Sequence, residues 1–415
     1  FTKMTKLEKI TTYEHQEIEL AGKYIKKLKG SKLPEAFFNE TKNGVKFKSY
    51  VGNVNLFDKQ IEILPKINKS NDGIRKSLIH MISVAEGLNI YSSNQSSLST
   101  QNYTLIDYFI KNFIELLKKE INFGLIREYK EKQEYLNTAK GKILITQTIK
   151  NNAWDNSNFY SSFDEFSQDN TYNQIIKAAL IEIKKLTVNN RLIQDIELVK
   201  QYFENVSSKE ITLNDFRYIE NNSNRLMDRY SDIFHISKLI LTREYFDILF
   251  GDKNSAAIIF DMNKLFEKYI AFIINKICKR SDYSSRNKYH NLFDEGFRLE
   301  PDFQIKNKNN NKSIIIDTKW KELNTNPSAR SFNEKYGIKT SDIYQMTSYG
   351  LRYQVKNLVL LFPMSENNVN DDKTLKYKDL DMTLDVSLID LSNIHIDKGK
   401  SVEKDIKKII EKFAA

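Results

Sequence analysis

The sequence is poor in the features that would commit it to a disulfide framework, a membrane or a nucleotide motor. It holds a single cysteine, Cys278, inside an apolar run, so an internal disulfide and a cysteine-rich metal centre are both excluded. That residue reads as a small buried hydrophobe. No uninterrupted apolar stretch approaches the roughly 18 residues needed to span a bilayer. The opening residues lack a basic-then-apolar targeting pattern, which makes the cytoplasm the expected compartment. A phosphate-binding Gly-x₄-Gly-Lys-Ser/Thr loop is missing too: Gly22-Lys23-Tyr24 and Gly141-Lys142-Ile143 lack the hydroxyl residue and the preceding glycine. No internal repeat is visible.

What remains is a folded, basic chain. Its 415 residues exceed the size at which one core usually keeps growing, so two domains are expected. A hydrophobic fraction of 40%, with 12% aromatics, suffices for globular packing. The formal net charge of +10 favours contact with a polyanion through counterion release.

Along the chain, Val45–Val51 and Leu56–Leu64 read as strands, punctuated by Asn43-Gly44 and Asp58. From Gly73 the spacing turns helical, with Ile74, Leu78, Ile82 and Ala85 on one face, and a second stripe runs through Leu105, Phe109, Phe113, Leu116 and Leu117. Tyr91–Asn102, rich in Ser, Asn and Gln, reads as a loop between them. Asn170–Phe203 and Ile211–Phe250 make the middle of the chain predominantly helical. The C-terminal half is expected to run as one long helix over Ile258–Ile277, strands at Phe297–Ile305 and Ser313–Trp320, a helix near Asp342–Tyr353, a strand at Leu358–Phe362, a loop at Ser365–Lys373 and a terminal helix at Val402–Phe413.

The chemistry-bearing constellation is Pro301-Asp302 followed by Asp317-Thr318-Lys319. An acid two residues before a lysine is cheap in a Lys-rich chain, and Asp371-Asp372-Lys373 and Glu182-Ile183-Lys184 share it. Geometry separates them. A tight turn centred on Asn309-Asn310, in the polar segment Lys306–Lys312, places Asp302 directly opposite Asp317. Directly opposed side chains have Cβ atoms about 5 Å apart. Two carboxylates so close repel unless a cation lies between them, and hard oxygen donors suit Mg²⁺ or Mn²⁺. Lys319, two residues on, shares the face of Asp317, where its ammonium can stand beside a phosphate and an attacking water. The apolar Ser313–Ile316 run feeding this point is the kind of strand buried in a sheet. Glu267, on the preceding helix, can complete a metal shell, although an exposed helical Glu is commonplace. Gln345 and Tyr349, four apart, share one helix face and can hold a phosphate or orient Lys319.

These residues resemble the PD-(D/E)xK nucleases, in the branch that adds Gln-x-x-x-Tyr after the lysine. The segments Asp261–Glu267, Leu299–Asp302, Ile316–Lys321 and Asp342–Tyr349 are similar to the McrC family, the nuclease subunit of McrBC-type modified-cytosine restriction systems. Ile61–Ile67, Gly124–Tyr129 and Lys140–Ile145 resemble it as well. The resemblance implies a mixed α+β chain: residues 1–150 as a β-rich and helical docking domain, then residues 151–415 as a helical segment plus an α/β restriction-endonuclease-like domain with its core at about 256–365. It further implies Asp302, Asp317 and Lys319 as the catalytic set, supported by Gln345 and Tyr349, with Mg²⁺ held by Asp302, Asp317, the Thr318 carbonyl and Glu267. The implied partners are a McrB-like AAA+ GTPase ring and double-stranded DNA, with no membrane. Two other readings compete: a non-catalytic adaptor that clamps DNA on an NTPase ring, and a stand-alone RecB-like nuclease.

Overall fold

The computed structural model describes residues 8–31, 33–34, 36–66, 71–88, 103–151, 158–222, 227–242, 249–250, 256–286, 289–294, 296–323, 337–365 and 373–414. Tyr91–Asn102 and the interior of Ser365–Lys373 lie outside them. By contacts the chain forms two compact units, Phe1–Ile106 with Asp247–Ala415, and Asp107–Phe246. These units do not coincide with the division at residue 150.

In the first unit, β1 (Glu8–Tyr13) begins a chain of short elements: β2 (Glu17–Glu19), α1 (Gly22–Lys29), β3 (Phe38–Glu40), β4 (Gly44–Phe47), β5 (Tyr50–Leu56), β6 (Lys59–Leu64) and α2 (Asn71–Ala85). The β-rich start expected from the sequence is therefore present. β6 runs Gln60–Leu64 fully buried, and β1 pairs with it in parallel while β5 pairs antiparallel. The core between these strands and α1 joins Tyr24, Leu28, Phe37, Val45, Phe47, Ile61 and Ile259.

The second unit holds most of α3 (Leu105–Ile121), then β7 (Glu128–Leu136), β8 (Lys142–Ile143), α4 (Ile145–Asn151), β9 (Phe159–Ser167), α5 (Thr171–Leu186), α6 (Asn190–Gln201), α7 (Leu213–Asn221) and α8 (Ser231–Thr242). Its helical middle follows the expected periodicity. α5 is capped by Asn170, whose side chain accepts from the Asn173 amide, and buries Tyr172, Ile175, Ile176, Ala179, Leu180 and Ile183. β7 and β9 pair antiparallel over nine residues.

The first unit resumes with β10 (Leu249–Phe250), β11 (Ala256–Asp261) and α9 (Met262–Cys278). Here the structure corrects the expectation of one helix over Ile258–Ile277: Ile258–Phe260 are strand, and the helix starts at Met262. The physical reason is local. Asp261 caps α9, its carboxylate accepting the Asn263 amide at 2.9 Å, while the β-branched residues before it extend and pair with β5. The pairing needs Gly52, which has φ +134° and where an added Cβ would lie 2.0 Å from the Ile258 carbonyl oxygen. A strand from the C-terminal half thus enters the N-terminal sheet, ordered β1-β6-β5-β11-β10.

After α9 come β12 (Tyr283–Arg286), β13 (His290–Phe293), β14 (Gly296–Leu299), β15 (Phe303–Asn307), β16 (Ser313–Thr318), α10 (Thr340–Tyr353), β17 (Asn357–Pro363), β18 (Lys373–Lys376), β19 (Thr383–Ile389), α11 (Ile394–Asp397) and α12 (Lys400–Ala414). The expected single strand over Phe297–Ile305 is two strands, broken at Glu300–Asp302. β15 and β16 form an antiparallel hairpin, and β16, β17 and β19 run parallel, giving the sheet order β12-β15-β16-β17-β19-β18. The near-continuous apolar runs of β16 and β17 suit strands covered on both faces. Beneath α10 the core gathers Ile315, Met346, Tyr349, Leu358, Leu360 and Phe362.

Candidate active site

The hairpin register is the one that brings two acids together. Phe303 pairs with Ile316, Gln304 with Ile315 and Ile305 with Ile314, and one further step sets Asp302 opposite Asp317. Asp302 is half-buried just ahead of β15, after a buried Pro301. The Thr318 amide and hydroxyl both donate to Asp302 Oδ2, each at 2.6 Å, which fixes that oxygen against the end of β16. The sequence reading gave Thr318 a role through its carbonyl and missed this double donor; the hydroxyl between the acid and the lysine was the available signal.

Asp317 is 1% exposed at the end of an isoleucine run. Lys319 Nζ lies 2.5 Å from its Oδ2, an ion pair. Oδ2 is buried, and among the described residues that ammonium is its one partner. Burial, and after it the Asp302 carboxylate, push the Asp317 carboxyl up to about 7, against the opposing pull of Lys319.

Lys319 is held from both ends. Its amide donates to the Leu361 carbonyl of β17 at 2.9 Å, and its ammonium donates to Gln345 Oε1 at 3.0 Å. Gln345 Nε2 then donates to the Tyr349 hydroxyl at 2.8 Å, and that hydroxyl donates to the Glu300 carbonyl at 3.0 Å. Every direction along the relay is forced, because an ammonium can only donate and a carbonyl can only accept. Burial, with Asp317 second, raises the Tyr349 phenol well above its ordinary range, so it remains a donor. The structure therefore brings Asp302, Asp317, Lys319, Gln345 and Tyr349 to one corner.

Glu267 stands apart from that bonded set. It lies on an accessible turn of α9, yet reduced hydration of its carboxyl, then Asp302 and Glu300, raise its pKa, while Lys268 and Lys319 lower it. It shares the field of the site without a hydrogen bond into it. Among the described residues no three His, Cys, Asp or Glu side chains converge as a ready-made metal cluster. The acids meet as a pair, with Glu267 on the neighbouring helix.

Two anchors escaped the sequence. Trp320 is buried, its Nε1 donating to both oxygens of Glu14 at 2.9 and 3.1 Å. Lys321 pairs with Asp342 in the first turn of α10. No local pattern announces the first, since its partners stand 306 positions apart.

Fold and site together define a mixed α/β protein with a carboxylate–lysine corner at the end of a parallel strand pair. Residues 45–363 match the family described as McrBC 5-methylcytosine restriction system component, and the chain belongs to that family. The match takes in every residue of the corner. Among solved structures, a half-complex from a tetradecameric assembly of Thermococcus gammatolerans McrB AAA+ hexamers with bound McrC contains a similar chain: TM-score 0.74, 20% identity, covering 97% of this chain and 100% of that one. A chain of the Thermococcus gammatolerans McrBC complex is similar with TM-score 0.51 and 23% identity, over 68% of this chain and 90% of that one. None of the curated proteins compared with the chain matches it.

Proposed function

We propose that this chain is the endonuclease subunit of a modification-dependent restriction complex, hydrolysing phosphodiesters of double-stranded DNA in the cytoplasm. The single observation that carries the reading is the corner itself: two carboxylates forced together, one of them buried, with a lysine held over it by a directed relay. In this corner Asp317 Oδ2 has the Lys319 ammonium at 2.5 Å as its cationic partner, and burial beside Asp302 still raises its carboxyl to about 7. That demand for positive charge suits a divalent cation. Asp302, Asp317 and the Thr318 carbonyl, with Glu267 from α9, would hold Mg²⁺, and Mn²⁺ meets the same donors. Bound there, the ion supplies Lewis-acid polarisation and a more acidic water.

The chain's own residues supply the rest. Lys319 stabilises charge developing on the phosphate and orients the attacking water, while Gln345 and Tyr349 keep its ammonium in place. Thr318 keeps Oδ2 of Asp302 occupied, so Oδ1 is the oxygen that would serve the ion. The restriction-endonuclease-like core falls at about 256–365, and the fold class we assign is PD-(D/E)xK.

The partner we infer is a McrB-like AAA+ GTPase ring, docked through residues 1–150, whose hydrolysis this chain stimulates. A fold similar to McrC in the Thermococcus gammatolerans assembly supports it, and these residues carry no phosphate-binding loop of their own for such a motor. No helix among the described residues is long and apolar enough to cross a membrane. The test is cleavage of methylated duplex by the chain with its ring partner, GTP and Mg²⁺. Lys319→Ala should lose on the order of 10³-fold in rate while still co-purifying with the ring; cleavage at the wild-type rate would refute the assignment.

A further inference from the structure

The residue after the lysine is tied to the far end of the chain. Glu14 follows β1, and its amide donates to the Leu64 carbonyl at 2.9 Å, extending the β1–β6 ladder. Its side chain is 3% exposed. Oε1 accepts the Trp320 indole at 2.9 Å and the Lys66 amide at 3.2 Å, and Oε2 accepts the same indole at 3.1 Å. Among the described residues no basic side chain bonds this carboxylate; Lys66 Nζ pairs instead with Glu322 at 3.4 Å. Trp320 in turn sets its ring edgewise on Phe266, centroids 5.5 Å apart, and Phe266 is the neighbour of Glu267 on α9.

Past Lys319 the chain leaves the sheet in a tight turn, the Lys321 amide donating back to the Lys319 carbonyl at 3.1 Å. Two side chains fix that turn. Lys321 ties it to α10 through Asp342, and Trp320 ties it to the N-terminal sheet through Glu14. A buried carboxylate gripping one indole N–H with both oxygens locks the ring's position and direction. Errors of about 1 Å in a reacting group cost on the order of 10²-fold, so a rigid anchor one residue from the catalytic lysine bears directly on rate.

We infer that Glu14 is a positioning residue for the Lys319 corner, clasping Trp320 so that the end of the N-terminal sheet sets where the lysine stands. The inference rests on the nuclease reading above. It also gives the N-terminal sheet, outside the catalytic strands, a direct mechanical link to the reacting group.

The test is a double-mutant cycle on the full chain with its ring partner, measuring single-turnover cleavage at saturating methylated duplex, DNA half-saturation and ring association. Glu14→Ala and Trp320→Phe should each slow the cleavage step about tenfold, with half-saturation and ring association unchanged. The double variant should be no slower than the worse single one. Glu14→Gln, which keeps an acceptor for the indole, should restore the rate to within about threefold. Multiplicative losses, or a Glu14→Gln as slow as Glu14→Ala, would overturn the clasp. If Glu14→Ala fails to fold, Glu14→Gln against Trp320→Phe still decides: both at wild-type rate removes the role. Failure of the wild-type complex to cut would instead strike the nuclease reading, and the clasp with it.

Discussion

Two buried acidic clusters in the same unit show how a fully bonded ion pair differs from one that faces a second carboxylate. Glu62 of β6 is 1% exposed and completely satisfied. Oε1 accepts from Arg75 Nε and the Leu105 amide, both at 2.9 Å, while Oε2 accepts from Arg75 Nη2 at 2.6 Å and Thr11 at 3.1 Å. Asp317 is as buried but faces a second carboxylate and has a single lysine, 2.5 Å from Oδ2, to set against it. The first cluster is closed, spending all its acceptors on the fold. The second is open, and the fold holds it in a state that added positive charge would relieve.

Breaking the closed cluster should have the largest effect on stability. Arg75→Ala strands Glu62 without its guanidinium and should lower unfolding free energy by about 3–5 kcal/mol in a denaturant titration; a loss under 1 kcal/mol would remove the contrast.

The next effect concerns Glu14, which burial raises to about 7 against the lowering pull of Trp320 and Lys66. Its ordinary value is 4.5, so between that pH and about 7 only the folded chain keeps the proton. The stability it contributes is therefore complete below pH 4.5 and lost as pH rises through about 7. Measured against Glu14→Gln, the wild type should fall by about 3 kcal/mol between pH 4.5 and pH 8. A pH-independent difference would contradict the burial argument.

The smallest effect has the opposite sign. Asp317→Asn removes the repelled carboxylate of the open cluster, and in chelator at pH 8 it should stabilise the fold by about 2 kcal/mol. Destabilisation there would mean that Asp317 is as structural as Glu62.

Much of the site was legible because a hairpin with a short polar turn leaves little freedom of register. The positions of Asp302 and Asp317, symmetric about Asn309-Asn310, were enough to oppose them, and period-two alternation then placed Lys319. Helix α10 was equally plain from the spacing of Gln345 and Tyr349. Ile258–Phe260 were misassigned because a short apolar run adjoining a helix carries no periodicity of its own; the cap at Asp261 was the missed punctuation. β18 and β19 were not expected; β19 alternates Leu384, Val386 and Leu388 with Asp385 and Ser387, so its burial from Leu384 to Ile389 is not announced by a continuous apolar run. The Glu14–Trp320 contact was beyond any local pattern, because a tertiary hydrogen bond across 306 positions leaves no spacing to detect.

The most direct measurement of the open-corner claim is calorimetric titration of Mn²⁺ into the full chain at pH 8, for the wild type, Asp302→Asn and Asp317→Asn. One divalent site is expected in the wild type, lost in both variants. Equal binding by all three proteins, or none by the wild type, would contradict the assignment of this corner as a metal-dependent nuclease centre.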